Sequence, residues 1–265
     1  MKKVIFIILI SIIGQALQAS TVREERTTKV FTAIENNCSA DIIITQGDEY
    51  GIFVNAAEKY IDKIKTEVRA GTLVIDIKGN IYNTSEIVIE VSVKNLHEIV
   101  MNSSGDIEIE GQLSSSSFNL ELHGSGDFEG AFNVKDMEVS IHGSGDAEIS
   151  GINGSLNLTQ RGSGDFEGES LHLASCYLSM NSSGDTELSG TSAMMEVKQN
   201  GSGDFDGRSF KVQTAKIRKT SSGKADVYVT DTIDASISGS GDLNIKGSPE
   251  ITNFSASGSG SIHSF

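Results

Sequence analysis

The phrase Ser125-Gly126-Asp127-Phe128-Glu129-Gly130 returns as Ser144-Gly145-Asp146-Ala147-Glu148-Ile149 and again as Ser163-Gly164-Asp165-Phe166-Glu167-Gly168. Its Ser-Gly pair begins at Ser104-Gly105, continues through Ser183-Gly184, Ser202-Gly203, Ser222-Gly223 and Ser240-Gly241, and ends at Ser259-Gly260. Successive glycines of the pair are 21, 19, 19, 20, 19, 20, 18 and 19 residues apart. A fixed short period marks a repeat architecture. Counting back from the Ser, the third, fifth and seventh positions are largely apolar, as in Leu122, Leu120 and Phe118 or Ile141, Val139 and Met137, with polar residues between them. After the turn, Asp106-Ile107-Glu108-Ile109 alternates in the same way. Period two means a strand with one buried and one wet face. A coil of about 19 residues, with two or three short strands and glycine turns, is too small to fold alone, so it must pair with its neighbours about 4.8 Å along the stack. The expected fold is all-β: a single-stranded parallel β-helix, a solenoid expected to be right-handed. A propeller blade would need about 40 residues and four antiparallel strands.

The residues after each turn predict how such a core fills. Phe128 with Gly130, Phe166 with Gly168 and Phe205 with Gly207 alternate with Ala147 and Ile149, Thr186 and Leu188, Ala225 and Val227. A large-small coil then lies on a small-large coil, as close packing demands. Gln160, Gln199 and Lys219 interrupt the apolar column three before the Ser. They are expected to hydrogen-bond along the stack or to lie near a corner, because burying them unpaired is costly.

Upstream, Ser39-Ala40-Asp41-Ile42-Ile43-Ile44 imitates the repeat. Strands are expected around Ile52 to Asn55, Ile64 to Arg69, Leu73 to Lys78 and Ile87 to Val93, with a helical turn or two within Ala57 to Lys65. Residues 20–100 thus read as degenerate coils and a cap, and 101–261 as regular repeats, within one domain spanning 20–265. The tail from Ser255 to Phe265 is a second cap or a frayed end.

Residues 1–19 read as a signal peptide. Lys2 and Lys3 precede an apolar run from Val4 to Ile13, and Gly14 to Ala19 supplies small residues before a cut after Ala19. The run is about half the roughly 20 residues of a spanning helix, and no later stretch could span a bilayer. The formal charge is -15; without Lys2 and Lys3, 19 basic residues face 36 acidic ones, giving -17. That sign disfavours nucleic acid and anionic lipid. Cys38 and Cys176 suggest no metal spacing and lie too many coils apart for a disulfide, so two buried thiols are expected.

The segments Ile44-Thr45-Gln46-Gly47-Asp48-Glu49-Tyr50 and Gly71-Thr72-Leu73-Val74-Ile75, followed by the Gly-Ser-Gly-Asp series, resemble the GIN domain. This family is described as a putative auto-transporter adhesin head and is widespread in exported proteins of Bacteroidetes-like bacteria. The resemblance spans roughly residues 30 to 245. It implies a β-helix and an adhesive role, and carries no agreed catalytic residues to transfer. The chain shows no recognisable translocator barrel or C-terminal sorting domain, so it is not expected to be an autotransporter by itself.

Two acidic columns are the candidate site. Asp106, Asp127, Asp146, Asp165, Asp185, Asp204 and Asp242 form one, interrupted by Lys224; Glu108, Glu129, Glu148, Glu167, Glu187, Asp206 and Asp226 form the other. Carboxylates about 4.8 Å apart repel by roughly 1 kcal/mol in bulk water and by more near protein. Either a hard cation such as Ca²⁺ is held along Asp127, Asp146, Asp165, Asp185 and Asp204, or Asp caps the turn through backbone N–H groups while Glu points into water. The second is preferred, with no cofactor. The Gly-Ser-Gly steps lack the following helix of a phosphate loop and read as turns in which Gly supplies positive φ and Ser bonds the backbone. An outward polar column runs through Asn102, His123, His142, Arg161, Asn181, Asn200 and Thr220, with the two histidines stacked; it reads as a solvated face rather than a metal pair. Glycosidase spacing of two carboxylates about 5–10 Å apart is met anywhere on such a ladder, and exposed aromatics for sugar are scarce, with no Trp and 5 Tyr. The expectation is an exported, non-catalytic envelope protein, periplasmic or at the cell surface. It would act as an adhesin or macromolecule binder with a glycan or protein ligand; the alternatives are a calcium- or glycan-binding module and, last, a polysaccharide-active enzyme.

Overall fold

The computed structural model describes residues 21–79, 81 and 87–264; the expected signal peptide lies outside them. The chain is a parallel β-solenoid of about 9 turns with about 19 residues per coil. Seven long strands form its body: β9 (Ile107–Leu122), β10 (Phe128–Ile141), β11 (Ala147–Gln160), β12 (Phe166–Met180), β13 (Thr186–Gln199), β14 (Phe205–Lys219) and β15 (Ala225–Ile237). Each runs from one Ser-Gly-Asp turn to the next. The two or three short strands expected per coil are therefore fused into one. The corner is absorbed as a shift of register, as between Ala131 and Val134, and by glycines of positive φ such as Gly111 and Gly151. Because the neighbouring coil bends at the same place, the hydrogen-bond ladder resumes on both sides of the corner.

The core is the axis of the solenoid, and its packing follows the predicted volumes. Phe128 pairs with Ala147, Ala147 with Phe166, Phe166 with Thr186, and Thr186 with Phe205. One step along each strand, Gly130 meets Ile149 and Gly168 meets Leu188. A methyl on Gly168 would lie 2.8 Å from Leu188 Cδ2 and 3.1 Å from Phe166 Cε1. Glycine is thus the space into which neighbouring side chains grow.

The turn glycines obey two constraints, of which the expected positive φ is the rarer. Gly162 and Gly258, each opening a Gly-Ser-Gly step, have positive φ, whereas the glycine of each Ser-Gly pair, from Gly105 to Gly241, does not. Instead, a methyl on Gly145, Gly164 or Gly203 would sit 2.0, 2.0 or 1.9 Å from the carbonyl oxygen of the glycine one coil earlier. The coils approach backbone to backbone at this corner, and no side chain fits. The repeat serines act here through their backbone: Ser144 and Ser163 N–H donate to the Gly124 and Gly143 carbonyls.

The inward polar residues lie at the same corner and hydrogen-bond there, except that the buried Gln199 Oε1 has no partner among the described residues. Gln160 Nε2 donates to the Gly164 carbonyl in its own turn (2.6 Å) and to that of Asp185 in the next (3.1 Å), while its Oε1 accepts from Thr186 Oγ1. Gln199 repeats the first two contacts on Gly203 and Lys224. Lys219, fully buried, donates to the carbonyl and hydroxyl of Ser221.

The N-terminal third is built otherwise. Its elements are β1 (Thr21–Arg26), β2 (Ala33–Asn36), β3 (Asp41–Gln46), β4 (Gly51–Ala57), α1 (Glu58–Ile61), β5 (Ile64–Arg69), β6 (Thr72–Ile77), β7 (Val88–Val93) and β8 (Glu98–Met101). The coil β2–β3 pairs in parallel with β6–β7 on one side and with β8–β9 on the other. It lies between two coils that both follow it in sequence. Below β6–β7 the direction reverses: β4 is antiparallel to β7, β5 to β6, and β1 to β4. These antiparallel strands, with α1 burying Ile61 between β4 and β5, close that end of the core. Within residues 20–100, β2–β3 and β6–β7 lie as coils of the stack, whereas β1, β4 and β5 pair antiparallel at its end. Non-local pairing of this kind leaves no local sequence signal.

At the far end, β16 (Leu243–Lys246), β17 (Glu250–Ala256) and β18 (Ile262–Ser264) continue the parallel stack on β15. The tail from Ser255 forms a further partial coil, in which Ala256 lies over the buried Ile237 and Ile262 over the buried Leu243.

Candidate functional site

The strand face that follows the turns carries both acidic columns, because residues two apart on a strand share a face. Parallel pairing in register stacks Glu108, Glu129, Glu148, Glu167, Glu187, Asp206 and Asp226 one above the other. Between the columns runs an open groove of about 560 Å³, bordered by Asp106, Asp127, Asp146 and Asp165 on one side and Glu108, Glu129, Glu148 and Glu167 on the other. Ile107, Phe128 and Ala147 contribute to its lining.

The Asp column is a ladder of side-chain-to-backbone bonds that runs from Asp41 to Lys224 and resumes between Asp242 and Ser261. Asp127 N–H donates to Asp106 Oδ1 (2.8 Å), Asp146 N–H to Asp127, Asp165 N–H to Asp146, Asp185 N–H to Asp165 and Asp204 N–H to Asp185. It begins at Asp41, whose carboxylate accepts from Asp106 N–H, as the imitation of the repeat at Ser39-Ala40-Asp41 suggests. Where the column is interrupted, Lys224 N–H still donates to Asp204. The cap foreseen in the sequence is therefore real, but it spans two coils rather than closing its own turn. One oxygen of each stacked carboxylate is committed to this bond, which offsets part of the repulsion along the column.

The Glu column is bounded by cations at its ends and bare between them. Beyond its N-terminal end, past the intervening Ile43, Arg23 Nη2 pairs with Glu90 at 2.5 Å and lies over the Phe53 ring. At the other end Arg208 pairs with Asp206, and Lys224 with the buried Asp226 at 2.7 Å. Among the described residues Glu108, Glu129, Glu148, Glu167 and Glu187 form no ion pair. Desolvation, followed by the charges of Glu148, Glu169 and Glu187, pushes the Glu167 carboxyl above its ordinary value. Arg23, Arg208 and the flanking Glu169 were missed by reading the repeat alone, although Asp206-Gly207-Arg208 places a cation at the next outward position of the same strand.

This geometry suits contact with positive charge over several coils. Among the described residues no group of three or more His, Cys, Asp or Glu is placed to hold a metal ion. The residues that border the groove are carboxylates and apolar side chains, with no Lys, Arg or His among them.

The other predicted features lie elsewhere. His123 and His142 stack with ring centroids 5.2 Å apart and 9° between planes, on the face preceding the turns, and His123 Nε2 lies 3.2 Å from Glu121. Asn181, Asn200 and Thr220 continue that column as a chain of side-chain hydrogen bonds. Cys38 and Cys176 are buried free thiols; burial holds Cys38 up at about 11 and raises Cys176 further. Neither is a poised nucleophile.

The family described as "Putative auto-transporter adhesin, head GIN domain" matches residues 30–188 and 152–249, and the chain belongs to it. Among solved structures, the chain is similar to a putative adhesin from Parabacteroides distasonis ATCC 8503, at 16% identity and TM-score 0.64, covering 92% of this chain and 97% of that one. A putative adhesin from Parabacteroides merdae ATCC 43184 gives 18% and 0.62, over 92% and 96%. A third structure, named a putative lipid binding protein, also from Parabacteroides distasonis ATCC 8503, gives 26% and 0.61, over 92% and 96%. No curated protein matches the chain.

Proposed function

We propose, from membership of the head GIN domain family, that this chain is an exported, non-catalytic adhesin of the cell envelope that holds a macromolecular partner along its strand faces. The observation that carries the reading is the unpaired acidic strip running from Glu108 to Glu187 without a closed cleft. A flat, periodic, single-sign surface fits an extended or basic partner better than a small substrate, which needs an enclosing pocket. Anionic glycans would be repelled by it.

Two measurements test this. Export predicts that the protein recovered from the envelope begins at Ser20 and that residues 1–19 are gone. Binding is tested with residues 20–265 over surfaces coated with poly-L-lysine or with mucin, at rising salt. The triple variant Glu129→Gln, Glu148→Gln, Glu167→Gln should lose retention on poly-L-lysine. A control changing the same number of acids away from the strip, at Glu24, Glu25 and Asp62, should not. Equal loss in both would reduce the effect to net charge and sink the strip as a binding face. A divalent cation is the competing occupant of the same acids. A rise in melting midpoint with millimolar Ca²⁺ over matched monovalent salt, abolished by Asp146→Asn with Asp165→Asn, would put the cation reading in place of this one.

A further inference from the structure

The two ends of the solenoid differ in how their edges are guarded. At the N-terminal end the outermost strands are β1, with Arg23, Glu24, Glu25 and Arg26, and β5, with Lys65, Glu67 and Arg69. Charged edge strands of this kind resist pairing with another chain. At the other end, β17 pairs only with β15 and β18 only with β16, so each offers an unpaired row of backbone groups. Their charged or titratable side chains are limited to Glu250 and His263.

The inward positions there are apolar and uncovered. Ile251 lies over Ile233, Phe254 over Ala235 and Ala256 over Ile237. The lower members of these pairs are fully buried, whereas Ile251 is 54% and Phe254 48% exposed. The acidic columns also stop short of this surface. Asp242 is succeeded by Ser261 in the first column, and Asp226 by Asn244 and His263 in the second. From residue 243 onward the formal charge is zero, with Lys246 against Glu250, in a protein whose total is -15.

We propose that this end is the contact surface for a second copy of the chain, in an isologous end-to-end dimer. A copy approaching any acidic strand face meets like charge, and one approaching the β1 and β5 edges meets charged side chains on edges that already close the core. The C-terminal end meets its own counterpart without net repulsion and with its backbone edges free of charged neighbours other than Glu250. A two-fold operator sets each last coil antiparallel to its mate, so that the unpaired edges of β17 and β18 continue the hydrogen-bond ladder across the contact. The same contact covers Ile251, Phe254 and Ile262 of both copies. The symmetry closes at two, whereas a head-to-tail contact would grow into filaments.

The test is the mass of residues 20–265 by light scattering across a concentration series at low and high salt. The expected result is a reversible twofold increase in mass that strengthens as salt screens the bodies of the two copies from each other. Phe254→Lys should weaken association by about tenfold or more, as loss of a central aromatic anchor does, with the circular dichroism melt of the dilute protein unchanged. Asn253→Lys, on the outward side of the same strand, controls for added charge and should weaken it far less. A monomer at every concentration overturns the proposal, as does a dimer indifferent to Phe254→Lys or an open-ended ladder of masses. A monomer that binds a hydrophobic dye at this end, and loses it in Phe254→Lys, would show the surface open to some other partner and would likewise overturn it.

Discussion

Between β10 and β15 every coil touches the coils before and after it in sequence; between β2 and β9 it does not. The regular body is quasi-one-dimensional, and its interactions are a sum of nearest-neighbour terms. The N-terminal third ties β2 and β3 to β6 and β7 on one side and to β8 and β9 on the other at once. The difference is one of cooperativity: a defect in the body is shared with two neighbours, while a defect in the interlocked block reaches strands far along the chain. The contrast also separates two uses of sequence, since a repeat is visible wherever it stacks on its own successor and invisible where the partner lies elsewhere.

The largest effect should come from Phe166→Ala, which empties the large position of a large-small pair and should destabilise by about 3–5 kcal/mol. Hydrogen exchange should show the loss concentrated in β11, β12 and β13, with β2 and β3 still protected. Exchange rising equally in β2 and β3 would erase the distinction drawn here. Ile42→Ala, in the interlocked coil, should cost about 2–5 kcal/mol and raise exchange together in β3, β7 and β9, the strands that meet there. Confinement of the change to β3 would refute the idea of a single cooperative block.

Smaller substitutions probe what holds one coil to the next. Gly203→Ala sets a methyl 1.9 Å from the Gly184 carbonyl oxygen and should cost about 1–3 kcal/mol or more, as overpacking does, although no positive φ is at stake. A melting temperature equal to the parent's would mean that the corner can open freely. Asp146→Ala removes the acceptor for Asp165 N–H and should cost about 1–3 kcal/mol. Asp146→Asn keeps an oxygen acceptor there while removing one charge from the column, and should match or exceed the parent in a low-salt melt. If Asn proves as damaging as Ala, the charge rather than the bond is what the ladder needs.

The smallest effect concerns the His123–His142 stack. Burial, then the charges of His123 and Arg161, hold His142 below its ordinary value of 6.5. The unfolded chain therefore binds more protons between that lowered value and the ordinary one. Stability should fall as pH drops through this window and level off beneath it. His142→Asn, which installs the residue found at Asn102, Asn181 and Asn200 in the same column, should flatten that slope in melts between pH 7 and 5. An unchanged slope would assign it to other groups.

The fold was legible because turn, period and alternation agree through nine copies, and because the volumes of Phe128, Ala147 and Phe166 are chosen against each other. The Asp column was legible as a feature and only half legible as a mechanism. The sequence shows that Asp follows Gly, but whether its carboxylate closes its own turn or reaches the next depends on how closely the coils approach. That approach is enforced by the very glycines whose role the sequence leaves ambiguous between a positive φ and a lack of room. The antiparallel cap was illegible for a plainer reason: Gly51 to Ala57 alternates as any strand does, and alternation is blind to direction.

The interlocked coil also sets a timetable. A ribosome delivers residues 33–46 well before either flanking coil exists, and the first partners, β6 and β7, are not complete until Val93 has emerged. Until then β2 and β3 are two half-apolar ribbons with both edges open. Assembly cannot proceed by adding each coil to the one just made; the earliest piece must wait to be enclosed. Under the export proposed above, such a delay would keep the leading portion pliable for as long as the trailing portion is still being made.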